Sequence, residues 1–148
     1  MKSKNQKVIE KLNKLLADYQ IFYQNLRGLH WNVKGPMFFN LHAKYEEYYD
    51  EAAEVIDEIA ERVLMLRGTP LHTFDDYMKT ATLKAASNVS DGKEGIKIVL
   101  ENKRFLLNSF NDILETAAEA QDEGTAAMMS EFIGETEKNI WMLESFLS

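Results

Sequence analysis

Residues 29 to 62 read LHWNVKGPMFFNLHAKYEEYYDEAAEVIDEIAER, and this stretch decides the fold. The Lys34-Gly35-Pro36 break separates two helical patterns, because proline restricts its neighbours and suits the start of a helix. Before the break, apolar side chains recur in steps of four and three at Val8, Leu12, Leu15, Tyr19, Phe22, Leu26 and Leu29. After it, the same rhythm runs from Phe38 to Leu66. The sequence therefore predicts two amphipathic helices joined as an antiparallel hairpin.

A second pair of helices is predicted after a long connection. Residues 68 to 91 contain two Gly/Pro signals and a short helical candidate from Thr73 to Lys79. Apolar spacing then predicts a third helix from Ile96 to Ala117 and a fourth from Met129 to Phe146, with a break at residues 122 to 124. This order predicts an all-α, ferritin-like four-helix bundle, with a short helix in the crossover between helices two and three. We expect residues 1 to 148 to form a single domain.

Composition limits the kind of site that the chain can build. With no cysteine among 148 residues, disulfides and thiolate metal sites are excluded, and His, Asp and Glu remain as strong ligands. The net charge of -7 favours cations as partners and disfavours a general nucleic-acid surface. No apolar run reaches the roughly 20 residues that span a bilayer, and the first residues lack the apolar core of a secretory signal. We therefore expect a cytoplasmic protein with no membrane partner.

One flank of the second helix carries ionisable side chains beside small and apolar ones. Its members fall within about 60° of each other and are His42, Glu46, Ala53, Asp57, Ala60 and Leu64, with Glu61 just beyond. The small residues predict that another helix packs here, where an unpaired charge would be costly. A bound cation is one form of compensation, and this ligand set suits iron, manganese or zinc. Taken singly, each histidine is also explained as a hydrogen-bonded boundary residue, so spacing alone leaves both interpretations open.

Distance along the helix decides how such a metal site is built. His42 and Asp57 are fifteen residues apart, about 22 Å at the helical rise, so one ion cannot contact both. The hairpin places His30 and His42 at the same end, and Asp57 with Glu61 form a second pair at i and i+4. Antiparallel packing of second helices across a two-fold axis would join these half-sites into two equivalent sites. No carboxylate stands three residues before a histidine, which excludes the usual intrachain di-iron pattern.

A family resemblance rests on these same residues. The run from His30 to His42, HWNVKGPMFFNLH, followed by Glu46, Tyr49 and DEIAER at residues 57 to 62, closely resembles the Dps mini-ferritins. The resemblance covers nearly the whole chain. It implies a hollow homo-dodecamer with ferroxidase centres at its two-fold interfaces.

The resemblance also implies roles for individual residues. His30 and His42 would come from one subunit, and Asp57 and Glu61 from its partner. Glu46 stands where many relatives have aspartate and is a further candidate ligand. Trp31 matches the family's tryptophan beside the centre and is a candidate electron donor.

The implied chemistry is the oxidation of ferrous iron, preferably by hydrogen peroxide, with ferric mineral deposited in the cage. Such a protein would protect the cell from oxidative damage, and zinc and manganese are candidate competitors for its ligands. The alternative is a DNA-compacting shell with little or no metal chemistry, associated with the bacterial nucleoid. Lys2, Lys4 and Lys7 are the candidate DNA contacts, in a short basic arm before the first helix.

Overall fold

Four long helices and one short helix make up the fold. The structure, a computed structural model, describes residues 4–148. The helices are α1 (Lys4–Asn32), α2 (Phe38–Met65), α3 (Phe74–Thr80), α4 (Gly92–Glu119) and α5 (Glu123–Leu147). No strand occurs within these residues, and the short α3 lies in the crossover between α2 and α4. The predicted all-α order, including the short helix, is therefore confirmed.

The apolar faces predicted from the sequence meet in one core. Helix α1 packs against α2, α4 packs against α5, and α1 also contacts α4. Leu12, Phe22, Tyr45, Leu106 and Phe110 lie at its centre and are 0 to 1% exposed. Removing such side chains from water supplies the main driving force for folding. Within residues 4–148, no helix combines the length and apolar character needed to cross a bilayer.

Short polar side chains and one glycine determine where the helices begin. The side chains of Thr73, Asp91 and Asp122 accept hydrogen bonds from backbone N–H groups in the first turns of α3, α4 and α5. These caps satisfy donors that have no partner within the helix. Between α1 and α2, Gly35 has a φ of 112°, a conformation that side chains disfavour. The hairpin that carries the histidines is thus fixed by local sequence.

Two polar side chains on α1 fasten the crossover to the bundle. The fully buried Asp18 carboxylate accepts hydrogen bonds from the backbone N–H groups of Thr82 at 2.6 Å and Leu83 at 3.0 Å. About two helical turns further along α1, the Asn25 side chain accepts a hydrogen bond from the N–H of Ala86 at 2.8 Å and donates one to the carbonyl of Lys84 at 3.0 Å. The crossover has no long apolar pattern of its own, so these bonds fix its path.

The predicted basic arm is wrong for two of its three lysines. Helix α1 begins at Lys4, so Lys4 and Lys7 lie on a helix and not on a segment before it. The Lys4 ammonium donates to the carbonyl of Glu119 at 3.2 Å. Lys2 lies outside the described residues. Regular apolar spacing before Val8 was absent, which is why the sequence placed the helix start too late.

Candidate metal centre

The hairpin brings the two histidines into contact. His30 lies in the last turn of α1 and His42 in the second turn of α2. Their rings stack with centroids 3.7 Å apart and planes 13° from parallel. His30 is buried and His42 is half-buried. The short connection therefore places both imidazoles at one end of the bundle, as its length predicts.

Each histidine is oriented by the backbone of the other. His30 Nδ1 lies 2.7 Å from the His42 carbonyl oxygen, and His42 Nδ1 lies 2.8 Å from the His30 carbonyl oxygen. A carbonyl oxygen can only accept, so each Nδ1 carries the proton and donates. In the neutral rings, both Nε2 atoms then have free lone pairs. This is the tautomer that a histidine uses to bind a metal through Nε2, with its Nδ1–H held by a carbonyl.

Aromatic side chains hold the two imidazoles in position. Phe38 stacks on His42 with centroids 4.9 Å apart, and Tyr49 meets the His30 ring edge-on at 5.2 Å. Burial and the Glu46 carboxylate raise the pKa of Tyr49, so its phenol keeps its proton at neutral pH. The spacing of His42 and Tyr49 predicts that they share one face of α2. The contact of Tyr49 with His30 does not follow from this spacing, because His30 lies on α1. The result is a rigid pair of imidazole rings.

Glu46 places a carboxylate next to the histidines. Its Oε1 lies 3.9 Å from His30 Nε2, and its side chain is 53% exposed. On α2 it follows His42 by one turn, so its carboxylate reaches the same end of the hairpin. Within residues 4–148, however, no three His, Asp or Glu side chains are grouped closely enough to hold an ion. One chain therefore presents an incomplete site.

Asp57 and Glu61 lie elsewhere on the surface of α2. Both side chains are exposed. In the described part of the chain, neither makes a side-chain hydrogen bond or an ion pair. The helix separates them from the histidines by about 22 Å or more, so the structure does not bring the two predicted half-sites together within one chain. The third histidine, His72, lies exposed between α2 and α3.

The flank of α2 that carries these carboxylates is not covered by another helix of residues 4–148, since Ala53 and Leu64 on this flank are exposed. The helix that was predicted to pack here is therefore not one of the described helices of the same chain. Large apolar side chains near both half-sites are also exposed: Trp31 at 58%, Phe39 at 82% and Met65 at 62%. The Arg27 guanidinium lies 4.9 Å from the Trp31 ring centroid. Such apolar exposure typically marks a surface that another protein molecule covers.

Comparison with known proteins identifies the class and then the family. The family described as the ferritin-like domain matches residues 9–148. DNA protection during starvation protein 2 of Bacillus anthracis is 37% identical over 144 residues, which are 97% of this chain and 99% of the relative. The crystal structure of the Dps protein from Vibrio cholerae O1 has a TM-score of 0.97 at 46% identity, covering 98% of this chain and 91% of that one. The Dps structure from Bacillus brevis has a TM-score of 0.96 at 38% identity, covering both chains completely. The chain belongs to the Dps family of ferritin-like proteins.

Proposed function

We propose that this protein is a ferroxidase and an iron-storage protein that uses hydrogen peroxide as its preferred oxidant. The observation that supports this most directly is the pair of Nε2 lone pairs of His30 and His42 beside the Glu46 carboxylate. Imidazole nitrogen with carboxylate oxygen is a ligand set that suits ferrous iron. The Vibrio cholerae protein is described as a member of the ferritin-like diiron-carboxylate proteins, which fits the same chemistry.

A second copy of the chain would complete each centre. In this arrangement the α2 helices of two copies pack antiparallel across a two-fold axis, and the partner subunit's Asp57 and Glu61 face His30 and His42. The two-fold axis then creates two equivalent centres. The length of α2 supports a shared site, and so does the exposed apolar surface around Trp31 and Leu64. Burying that surface would also remove water from the ligands and strengthen metal binding.

A closed homo-dodecamer is the proposed assembly, with ferric mineral stored in its interior. Closed symmetry uses the same apolar surface in every subunit and leaves none of it exposed. A hollow assembly also separates the mineral from the surrounding solution. The net charge of -7 on each chain attracts ferrous ions to it.

Each ligand has a defined role in the proposed reaction. His30 and His42 hold ferrous iron through neutral nitrogen, while the carboxylates of Glu46, Asp57 and Glu61 offset the charge that rises when iron becomes ferric. Two ferrous ions give one electron each to one peroxide, whose O–O bond breaks. With two water molecules, the products are two ferric oxyhydroxide units and four protons. Because both electrons transfer at one centre, no hydroxyl radical is released.

Three further features belong to this proposal. Trp31, next to His30 in sequence, would donate an electron when a centre holds a single iron. Zinc and manganese would compete for the same nitrogen and oxygen ligands. Acidic pH would weaken binding, because each Nε2 must be free of a proton to bind metal.

The experiment that tests this function counts iron against peroxide. Ferrous iron is added without oxygen to the purified assembly, hydrogen peroxide follows, and both are measured as oxidation proceeds. We expect fast oxidation with about two irons consumed per peroxide, as a paired centre requires. The variant His30→Ala with His42→Ala should lose the fast phase, whereas His72→Ala should keep it. A wild-type rate no faster than buffer, or an unchanged double variant, would contradict the proposal.

Protection of DNA, which the Bacillus anthracis relative has in its name, is proposed here to follow from removing iron and peroxide. The alternative is a shell that compacts DNA by direct binding. Two observations argue against a DNA-compacting shell: the net charge of -7 and the positions of Lys4 and Lys7 on α1. Gel retardation of DNA by the iron-free protein tests the alternative. Salt-sensitive retardation that disappears when Lys2, Lys4 and Lys7 are replaced would favour the compacting shell.

A further inference from the structure

Tyr49 connects the histidine pair to a second tyrosine. Its ring meets the His30 ring edge-on, with centroids 5.2 Å apart, and it meets the Tyr23 ring edge-on as well, at 6.1 Å. Among residues 4–148, no other tyrosine or tryptophan ring contacts the ring of His30 or His42. Tyr49 is therefore the readily oxidised side chain that touches the histidine pair.

The spacing of side chains along α1 extends this contact away from His30. Tyr23 precedes His30 on the same helix by about two turns, or about 10 Å, and Tyr49 of α2 contacts both. Arg27 lies one turn from Tyr23 and one turn from Trp31. Its guanidinium carbon is 5.3 Å from the Tyr23 ring centroid and 4.9 Å from that of Trp31. The order of contacts is therefore His30, Tyr49, Tyr23, Arg27 and Trp31.

These contacts favour tyrosine over Trp31 as the first electron donor. Trp31 follows His30 in sequence, but consecutive side chains on a helix point about 100° apart. Within residues 4–148, the Trp31 ring contacts Arg27 and not the His30 ring. A cation attracted to the electrons of an aromatic face also opposes a positive charge on that ring. Tryptophan becomes positively charged when it loses an electron, whereas tyrosine also loses its phenol proton and becomes a neutral radical.

A centre that holds a single ferrous ion lacks one electron for the safe reduction of peroxide. Cleavage of the O–O bond to two hydroxide ions takes two electrons, and one ferrous ion supplies only one. With that electron alone, the products are hydroxide and a hydroxyl radical. Tyr49 can supply the second electron, and its phenol proton then converts one hydroxide ion into water. The products are one ferric ion, one hydroxide ion, one water molecule and the neutral Tyr49 radical.

We propose that Tyr49 and Tyr23 form a two-step electron relay, which supplies the second electron to hydrogen peroxide when the His30 and His42 centre holds a single ferrous ion. The Tyr49 radical next takes an electron from Tyr23 and a proton from solvent, while Tyr23 releases its phenol proton to solvent; both side chains are half-buried. The oxidising equivalent thereby leaves the imidazoles, which it would otherwise damage. This inference rests on the proposed ferroxidase function, in which Trp31 becomes a later donor that is reached through Tyr23 and Arg27.

The test detects the radical by electron paramagnetic resonance. Purified assemblies receive a single ferrous ion per centre without oxygen, hydrogen peroxide is added, and samples are frozen rapidly. We expect a tyrosyl signal whose hyperfine splitting narrows when the chain carries ring-deuterated tyrosine. Tyr49→Phe keeps a ring against His30 but removes the phenol, so it should lose most of the signal and release more hydroxyl radical to a spin trap. Tyr23→Phe should confine the radical to Tyr49 and change the splitting pattern.

Tyr48→Phe is the matched control, because Tyr48 is next to Tyr49 in α2 but is buried against Lys103. It should leave the tyrosyl signal unchanged. The relay is overturned, and the ferroxidase function is not, if the wild type oxidises paired irons rapidly but forms no tyrosyl radical with single iron. A signal that Tyr49→Phe retains, or that only Trp31→Phe abolishes, would overturn the relay as well. A wild type that fails to oxidise paired irons rapidly contradicts the proposed function and the relay together.

Discussion

Complementation between two inactive variants gives the sharpest test of a centre shared by two subunits. One variant carries His30→Ala with His42→Ala, and the other carries Asp57→Asn with Glu61→Gln. Each keeps one half-site and loses the other, so neither alone should oxidise iron rapidly. When they co-assemble, histidines from the second variant meet carboxylates from the first. Rapid iron oxidation should then return only in the mixed assemblies.

The expected recovery follows from the geometry of the interface. At random mixing in equal amounts, a centre has intact histidines in half of all cases and intact carboxylates, from the other subunit, in half. Because the two contributions are independent, about one quarter of the centres are complete. An intrachain centre predicts no recovery at all, since every chain would carry a defect. The two arrangements therefore differ by a measurable fraction of the wild-type rate.

The assay measures the initial rate at a load of about two irons per centre, before mineral growth contributes. Mixed assemblies are made by co-expression and their composition is verified by native mass spectrometry. Glu54→Gln with Glu58→Gln is the matched control. This carboxylate pair is also spaced i, i+4 on α2, but it lines a groove between α2 and α5 of the same chain. That control should retain the wild-type initial rate. Verified mixed assemblies that oxidise iron no faster than their parents would refute the shared centre.

Three further predictions concern stability and metal competition. Asp18→Ala removes the buried carboxylate that accepts hydrogen bonds from the backbone N–H groups of Thr82 and Leu83, and it should lower the free energy of unfolding, measured in urea, by about 3 kcal/mol. Asp112→Ala, at an exposed ion pair with Lys11, should cost less than about 1 kcal/mol. Burial lowers the pKa of Lys103 to about 8 in the folded chain, against 10.5 for a free lysine. Between about pH 8 and pH 10.5 the unfolded chain therefore binds more protons than the folded chain, so the free energy of unfolding of the wild type should rise by up to about 3 kcal/mol relative to that of Lys103→Met. A difference between the two that stays constant over this pH range would contradict the shift. Stoichiometric Zn²⁺ should slow the first turnover of iron and removal by a chelator should restore it, whereas unchanged kinetics would exclude competition at this centre.

Much of the helical architecture was predictable because local sequence determines it. The apolar steps of α1 and α2, the Gly35-Pro36 break and the polar residues at the helix starts act within a few positions of one another. The same locality placed His30 and His42 at one end of the hairpin and put Asp57 far from them. A straight helix converts a count of residues into a distance, so the sequence alone indicated that one chain cannot complete the site.

Other features depended on contacts between residues that are distant in the chain. The exchange of hydrogen bonds between the His30 and His42 rings and backbones requires two helices at one exact separation, which no spacing rule supplies. Asp18 binds the crossover from more than sixty residues away, and Lys103 occupies an apolar position in its helix whose meaning appears only when Phe22, Tyr48 and Asn139 surround it. The flank of α2 was predicted to be covered by another helix, and within residues 4–148 it is exposed. Periodicity records which face of a helix is apolar, whereas tertiary structure decides whether the same chain or another copy covers that face.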